Sequence, residues 1–152
     1  MNHWLCILNR ENFEVVKGKR IWGVSKRHKN QLIRADVGDK LIFYLIGEKV
    51  GDEKRDSAIG GIFEVISRPY EDHKPVFPSQ ITKGEVYPHR VKVKPLLIPK
   101  EEVPFRPLIE RLEFITNKKK WSGHLVGKAM REIPERDYGV IRGLVEVERG
   151  LR

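Results

Sequence analysis

The chain of 152 residues carries 30 Lys and Arg against 21 Asp and Glu, a formal net charge of +9, with 39% hydrophobic and 34% charged residues. This composition excludes a disordered chain, and the length suits a single domain spanning residues 1–152 around one core. No run approaches the roughly 18 apolar residues of a membrane span, and Cys6, as the single cysteine, excludes an internal disulfide.

The start Met1-Asn2-His3-Trp4 lacks the order of a secretory signal, so a cytoplasmic protein is expected, with no membrane partner. The abundance of Lys, Arg and Glu beside one Cys and two Met resembles the ion-pair-rich pattern of thermostable proteins. A net positive field attracts polyanions, of which nucleic acid is the usual one.

Taken in chain order, Trp4 to Leu8 reads as a strand, and Asn9-Arg10-Glu11-Asn12 as its polar exit, suited to a turn or a helix cap. A short helix to about Val16 follows. Ile21 to Ser25 comes next, then a predicted helix over Lys26 to Ala35 with Leu32 and Ile33 inward, closed by the turn Asp36-Val37-Gly38-Asp39. Lys40 to Ile46 and Ser57 to Ser67 form a predicted antiparallel pair across the charged loop Gly47 to Asp56. Gly60-Gly61 inside the second run marks a bulge or a close approach.

Arg68 to Gly84, with three prolines among Tyr70, His73 and Phe77, reads as a binding loop. Tyr87 to Pro95 then alternates, placing Val91 and Val93 on an apolar side and Arg90, Lys92 and Lys94 on a cationic side. Pro107 opens a predicted helix that turns Leu108, Ile109 and Leu112 one way. Pro134, Glu135 and Asp137 open a last helix with the stripe Tyr138, Ile141, Leu144 and Val145, and Gly139 and Gly143 are expected to pack close against the sheet.

Charge distribution says more than total charge. From Val15 to Ala35 there are seven basic residues (Lys17, Lys19, Arg20, Lys26, Arg27, Lys29 and Arg34) and no acid, which is the footprint of a phosphate-backbone binder. Lys118-Lys119-Lys120 is a further patch. Aromatic residues accompany these cations: Trp22 in the first, Tyr87 beside the strand, Trp121 after the triple lysine. Flat rings among cations suit bases stacked beside held phosphates. Trp4 and Tyr44 lie inside strands and read as core or pocket floor. No zinc ligand pair, HExxH motif or phosphate-binding glycine loop is present, and the five histidines are scattered, so neither an enzyme nor a cofactor or metal is implied.

Three segments in order resemble the EVE domain, of the PUA-like superfamily and similar to the YTH domain. They are His3 to Glu11; Lys40 to Tyr44 with Ile59 to Val65; and Phe105 to Ile115 with Lys120-Trp121-Ser122-Gly123 and Ile133 to Tyr138. The resemblance implies an α+β fold, a strongly curved mixed or antiparallel β-barrel surrounded by short helices, with a pocket for a modified or flipped-out base. By position, Asn9 would read the base edge and Trp22, with Ser25 beside it, would form one wall; Tyr70 or Phe77 would form the other. Lys26, Arg27 and Lys29, with Arg90 and Lys92, would hold phosphates, and Trp121, Arg10 and Tyr44 are further candidates. Ser25 and Lys26 stand where this branch of the family often has Cys and His, so base preference does not carry over. Two other readings stay open: a structured-RNA module with no base pocket, and a processing enzyme using Glu11 or His28 as base.

Overall fold

A computed structural model describes residues 1–80, 82–125 and 127–148. Strand β1 (His3–Leu8) passes through Asn9 into helix α1 (Arg10–Lys19). The Asn9 side chain accepts from the Asn12 backbone N–H at 2.9 Å, satisfying one of the donors that a helix start leaves open. Arg20 closes the helix in the left-handed region (φ 61°), its N–H returning to the Val16 carbonyl.

Strand β2 (Ile21–Val24) is followed by one 3-10 turn (Lys26–His28) and a single turn of helix, α2 (Lys29–Leu32). The helix is shorter than the sequence pattern suggests. Leu32 and Ala35 turn inward three residues apart, which leaves Ile33 facing out, 53% exposed, contrary to expectation.

Strands β3 (Lys40–Leu45) and β6 (Ala58–Val65) pair antiparallel as expected. The segment between them is a hairpin rather than an irregular loop, with β4 (Glu48–Val50) against β5 (Glu53–Arg55). The chain continues through β7 (Tyr70–Glu71), β8 (His89–Leu97) and β9 (Val103–Pro104). A 3-10 turn (Arg106–Arg111), a second (Trp121–His124), β10 (Met130–Ile133) and α3 (Glu135–Glu148) complete the described chain.

The main sheet runs β10-β1-β3-β6-β8-β2, with β7 beside β8 and β9 beside β6. β1 and β3 are parallel and the other pairs antiparallel, so the α+β sheet is mixed. It curls into a half-barrel with short helices around it, as expected of a strongly curved sheet, and its end strands, β2 and β10, are not neighbours in the hydrogen-bonded order. Residues of the central strands alternate between two apolar layers. Trp4, Cys6, Leu41, Phe43 and Phe63 face the inner layer with α1 and Leu32, while Leu5, Ile42, Tyr44 and Ile62 face Phe105, Leu108, Tyr138 and Ile141. Burial on both faces is why the runs look continuously apolar in sequence.

Curvature concentrates at a bulge. Phe43 pairs with Gly61 and Tyr44 with Ile59, so Gly60 is the extra residue. A side chain there has no room, because its Cβ would stand 2.6 Å from Cε2 of Phe13. The Phe13 ring is itself fixed between Phe43 and Phe63. Gly139 and Gly143, expected to pack on the sheet, instead face open space, with nothing within 4 Å of where a Cβ would stand, because the apolar stripe of α3 already makes that contact.

The two glycine environments give opposite expectations. Gly60→Ala should lower stability in urea unfolding by about 1–3 kcal/mol through overpacking, whereas Gly139→Ala should raise it by about 1 kcal/mol through helix propensity. A Gly60→Ala chain as stable as the parent would contradict the packing of Phe13 against the bulge.

Candidate nucleic-acid interface

The residues expected to form a base pocket gather around β2 but do not face one another. Trp22 pairs with Val91 and Gly23 with Arg90, so alternation puts Trp22 on the inner face of the sheet and Gly23 on the other. Tyr70 pairs with Arg90 on its far side and shares Gly23's face. A Cβ on Gly23 would meet the Phe77 ring at 3.3 Å and the Tyr87 carbonyl at 2.7 Å, which places the Phe77 loop directly over Gly23. Trp22 itself is 4% exposed and meets Phe43 edge-on at 5.5 Å between centroids. The aromatic sandwich of Trp22 with Tyr70 or Phe77 is therefore not assembled in this state. Among the described residues, the Trp22 Nε1–H is buried and has no hydrogen-bond acceptor.

The predicted binding loop, residues 68–84 apart from 81, is a closed strap. Asn9 Nδ2 donates to Ser79 Oγ at 2.7 Å, Asn12 Nδ2 donates to the Ser79 carbonyl at 3.0 Å, and the Ser79 N–H donates to Asn12 Oδ1 at 3.1 Å. Asn9 is thus occupied twice, as helix cap and as loop anchor. Ser25, the N-cap of the 3-10 turn that starts at Lys26, is half-buried and makes no side-chain cap bond.

Arg90 corrects the reading of a cationic strand face. It is fully buried. Its Nε donates to the Tyr87 carbonyl at 3.0 Å and its Nη2 to the carbonyls of Lys74 at 2.6 Å and Val86 at 2.9 Å. Asp72 lies 3.6 Å from Nη1. The guanidinium thus organises the loop that covers Gly23 and is not available to a phosphate. It also holds Tyr87, a bulky residue in the left-handed region (φ 52°), whose N–H is taken by Glu85 Oε2 at 2.9 Å. Burial pushes the Tyr70 hydroxyl pKa up, against the lowering influence of Arg90.

Other candidates divide the same way. Arg10 bridges Glu48 at 3.0 Å and Glu102 at 2.7 Å and donates to the carbonyls of Ile46 and Asp56, so it ties α1 to the hairpin. Its pKa is raised, chiefly by Glu102. Tyr44 is core, edge-on to Phe105 at 4.8 Å, and Trp121 packs on that same ring at 5.6 Å. Lys118 caps the carbonyls of Ile109 and Leu112. Lys92 and Lys94 are exposed, and Lys94 pairs with Glu64 at 3.4 Å.

Four cations of the acid-free stretch remain outward, as do Lys92, Lys119, Lys120 and Lys128 elsewhere. Lys19, Arg20, Lys26 and Arg27 are exposed, and among the described residues none of them pairs with a carboxylate. Lys29, also exposed, is near enough to Glu71 to help lower its pKa, although His73 is the main cause. His28 is half-buried, and burial, followed by the charge of Arg27, pulls its pKa below the usual histidine value. The sequence did not mark His28, Gln31, Arg34 or Arg131 as neighbours. In the structure they line a cavity of about 430 Å3 with Lys128 and Trp4, where α2 meets β10. Sequence separation of about a hundred residues hides such a meeting from any local pattern. Among the described residues no cluster of His, Cys, Asp or Glu could hold a metal, and no helix is long and apolar enough to cross a membrane.

A model of the EVE domain family matches residues 2–144. A UPF0310 protein of Pyrococcus abyssi is 55% identical over 145 residues, covering 95% of this chain and all of that one. Two solved structures share the fold. The human THYN1 protein in complex with 5-methylcytosine-containing DNA is 16% identical with a TM-score of 0.62, over 96% of this chain and 98% of that one. The MmI1 YTH domain is 14% identical with a TM-score of 0.66, over the full length of both chains.

Removal of the buried guanidinium should expose how the strap is held. Arg90→Ala is expected to cost about 3 kcal/mol, from carbonyls left without donors, and to speed amide hydrogen exchange in residues 74–88 ahead of β1 and β3. Uniform acceleration across the sheet would contradict a local clamp.

Proposed function

The chain belongs to the EVE domain family, and from that premise we propose that it is a nucleic-acid-binding module, with no catalytic role, that holds phosphates along residues 17–34 and reads one base at Trp22. The observation that carries the reading is the run of outward cations Lys19, Arg20, Lys26 and Arg27 in a stretch without a single acid. Elsewhere in the molecule, Arg and Lys side chains such as Arg10, Arg90 and Lys118 serve the fold. Lys19, Arg20, Lys26 and Arg27, unlike Lys17 and Arg34 of the same stretch, which pair with Glu14 and Glu132, are available for polyanion contacts, which supply affinity through release of counterions.

Trp22 supports the finer part of the reading. It stands within the cationic stretch, and its unpartnered N–H would gain an acceptor from a base oxygen or ring nitrogen; leaving such a donor buried and unpaired costs about 1–3 kcal/mol. Base entry requires the Ser79 strap to release from Asn9 and Asn12, after which Phe77 or Tyr70 can swing to the opposite side of the base. The complex of human THYN1 with 5-methylcytosine-containing DNA makes a modified cytosine in DNA the first ligand to test. The closed strap also favours a second reading, recognition of folded RNA by shape with no base inserted.

Binding of plain and 5-methylcytosine oligonucleotides at two salt concentrations separates these readings. The first expects preference for the modified strand by about tenfold, the usual discrimination from one apolar group in a fitted pocket, and Trp22→Phe should reduce that ratio while keeping the core filled. Lys26→Ala and Arg27→Ala should each weaken all strands alike and reduce the slope of log affinity against log salt by about one. Equal binding of the two strands, with folded RNA competing better, would replace the first reading by the second. No salt-dependent binding to any strand would end both.

A further inference from the structure

The cavity between α2 and β10 belongs to neither the strap nor β2, and its chemistry is that of an anion site. Arg27 and Arg34 reach it from the segment after β2, Lys128 from the segment entering β10, and Arg131 from β10 itself. Glu132 is the one carboxylate in the lining, and Arg34 Nη2 takes it at 2.6 Å, leaving three cations in excess. Behind the cavity lies the fully buried Trp4, whose Nε1 is held by Asp39 Oδ2 at 3.1 Å and whose ring carries the Arg34 guanidinium at 5.2 Å. The Arg34 guanidinium is therefore held over an apolar ring at the inner end of the cavity.

Two polar atoms of the lining residues are unsatisfied. Among the described residues, Gln31 Oε1 and Arg131 Nε are buried and have no hydrogen-bond partner. Arg131 is otherwise well fixed, with its guanidinium 4.6 Å over the Phe114 ring and its Nη1 donating to the His124 carbonyl at 3.3 Å. A buried donor and a buried acceptor left open together suit a ligand that offers both kinds of partner. A phosphate supplies several charged acceptor oxygens for a convergent set of guanidinium and ammonium groups, and a sugar hydroxyl or base amino group supplies the donor for Gln31. The volume lies within the range of about 300–1,000 Å3 usual for small-molecule sites.

We propose that this seam cavity binds a phosphate-bearing nucleotide as a second site, separate from Trp22. The site rests on the nucleic-acid reading only for a polymeric source of that phosphate, and of the cations the two sites share Arg27 and Arg34. Burial lowers the Arg131 pKa, a tendency that a bound anion opposes. The phosphate can come from a free or terminal monoester or from the diester backbone.

The test is a titration of the folded protein with inorganic phosphate, a nucleoside 5′-monophosphate and a short oligonucleotide lacking a terminal phosphate, followed by amide NMR shifts. The monophosphate is expected to shift residues 27–34 and 127–132 saturably, with inorganic phosphate weaker at the same amides. Lys128→Glu, at an exposed position that leaves folding intact, should weaken this by about tenfold or more through loss and reversal of one charge contact. Gln31→Leu should weaken the monophosphate but not inorganic phosphate. Saturation by the monophosphate alone assigns the site to a monoester, and saturation by the oligonucleotide as well assigns it to the backbone; both uphold the site. Linear shifts that never saturate, or a Lys128→Glu protein that binds as the parent does, overturn it. If the seam stays silent while oligonucleotides still shift the surroundings of Trp22, only this inference falls. If the monophosphate saturates the seam while no strand binds, only the nucleic-acid reading falls.

Discussion

Everything in this molecule depends on a sheet that is buried on both faces. β1, β3 and the middle of β6 carry apolar side chains in both directions, so each face must be covered by other parts of the chain. One layer is closed by α1, Leu32 and the curl of the sheet onto itself, and the other by the 3-10 turn at Arg106–Arg111 and by α3. Curling is made possible at Gly60, where an absent side chain admits the Phe13 ring. Because the curl stops short of closure, β2 and β10 remain as edges. Both candidate sites lie along those edges, one at β2 under the strap and one at the seam beside β10.

Strands β1, β3, β6 and β8 were legible because their periodicity and residue types agree, whereas the short strands β4, β5, β7, β9 and β10 were not. The glycine bulge was legible too, since two glycines in a β-favouring run interrupt its side-chain surface where only a bulge or a close approach has use for the gap. Asn9 was legible as a cap from residue type alone, but its second bond to Ser79 joins positions 70 residues apart and leaves no local trace. Arg90 shows the same limit more sharply. Alternation correctly separates it from Val91 and Val93, yet alternation cannot tell a solvent face from a face that a loop covers. Gly139 and Gly143 misled for the converse reason: spacing on one helix face says that they share a side, not which side packs. The seam cavity was illegible altogether, since Gln31 and Arg131 acquire a common environment only through the topology of the sheet.

Net charge likewise turned out to be a poor measure of what the surface offers. Arg10 and Arg90 are consumed by internal hydrogen bonds, and Lys40 pairs with Glu64 at 2.7 Å, drawing the Glu64 pKa down. Arg136 likewise spans Glu113 and Asp137, while Asp137 accepts from the backbone N–H groups of Glu113 and Phe114 and so anchors α3 to the turn beneath it. What a polyanion meets is the smaller set that has no such duty. The acid-free stretch supplies part of that set, Lys19, Arg20, Lys26 and Arg27, because its own sequence contains nothing to neutralise it and carboxylates such as Glu48, Glu64 and Glu102 are engaged elsewhere. Its Lys17 and Arg34 pair with Glu14 and Glu132.

The strap at Ser79 turns a structural detail into a matter of timing. Its bonds run to the Asn9 side chain, which caps α1, and to the Asn12 side chain in the helix's first turn, so the latch is anchored to a helix end that does not itself need to move. On the proposed reading, a base would reach Trp22 only during intervals when the latch is open, whereas phosphates would settle on the outward cations at any moment. That reading would separate encounter from recognition, with a fast step that senses charge and a slower one, set by the opening frequency of the latch, that senses the base. Such a molecule would sample many strands briefly and dwell on few.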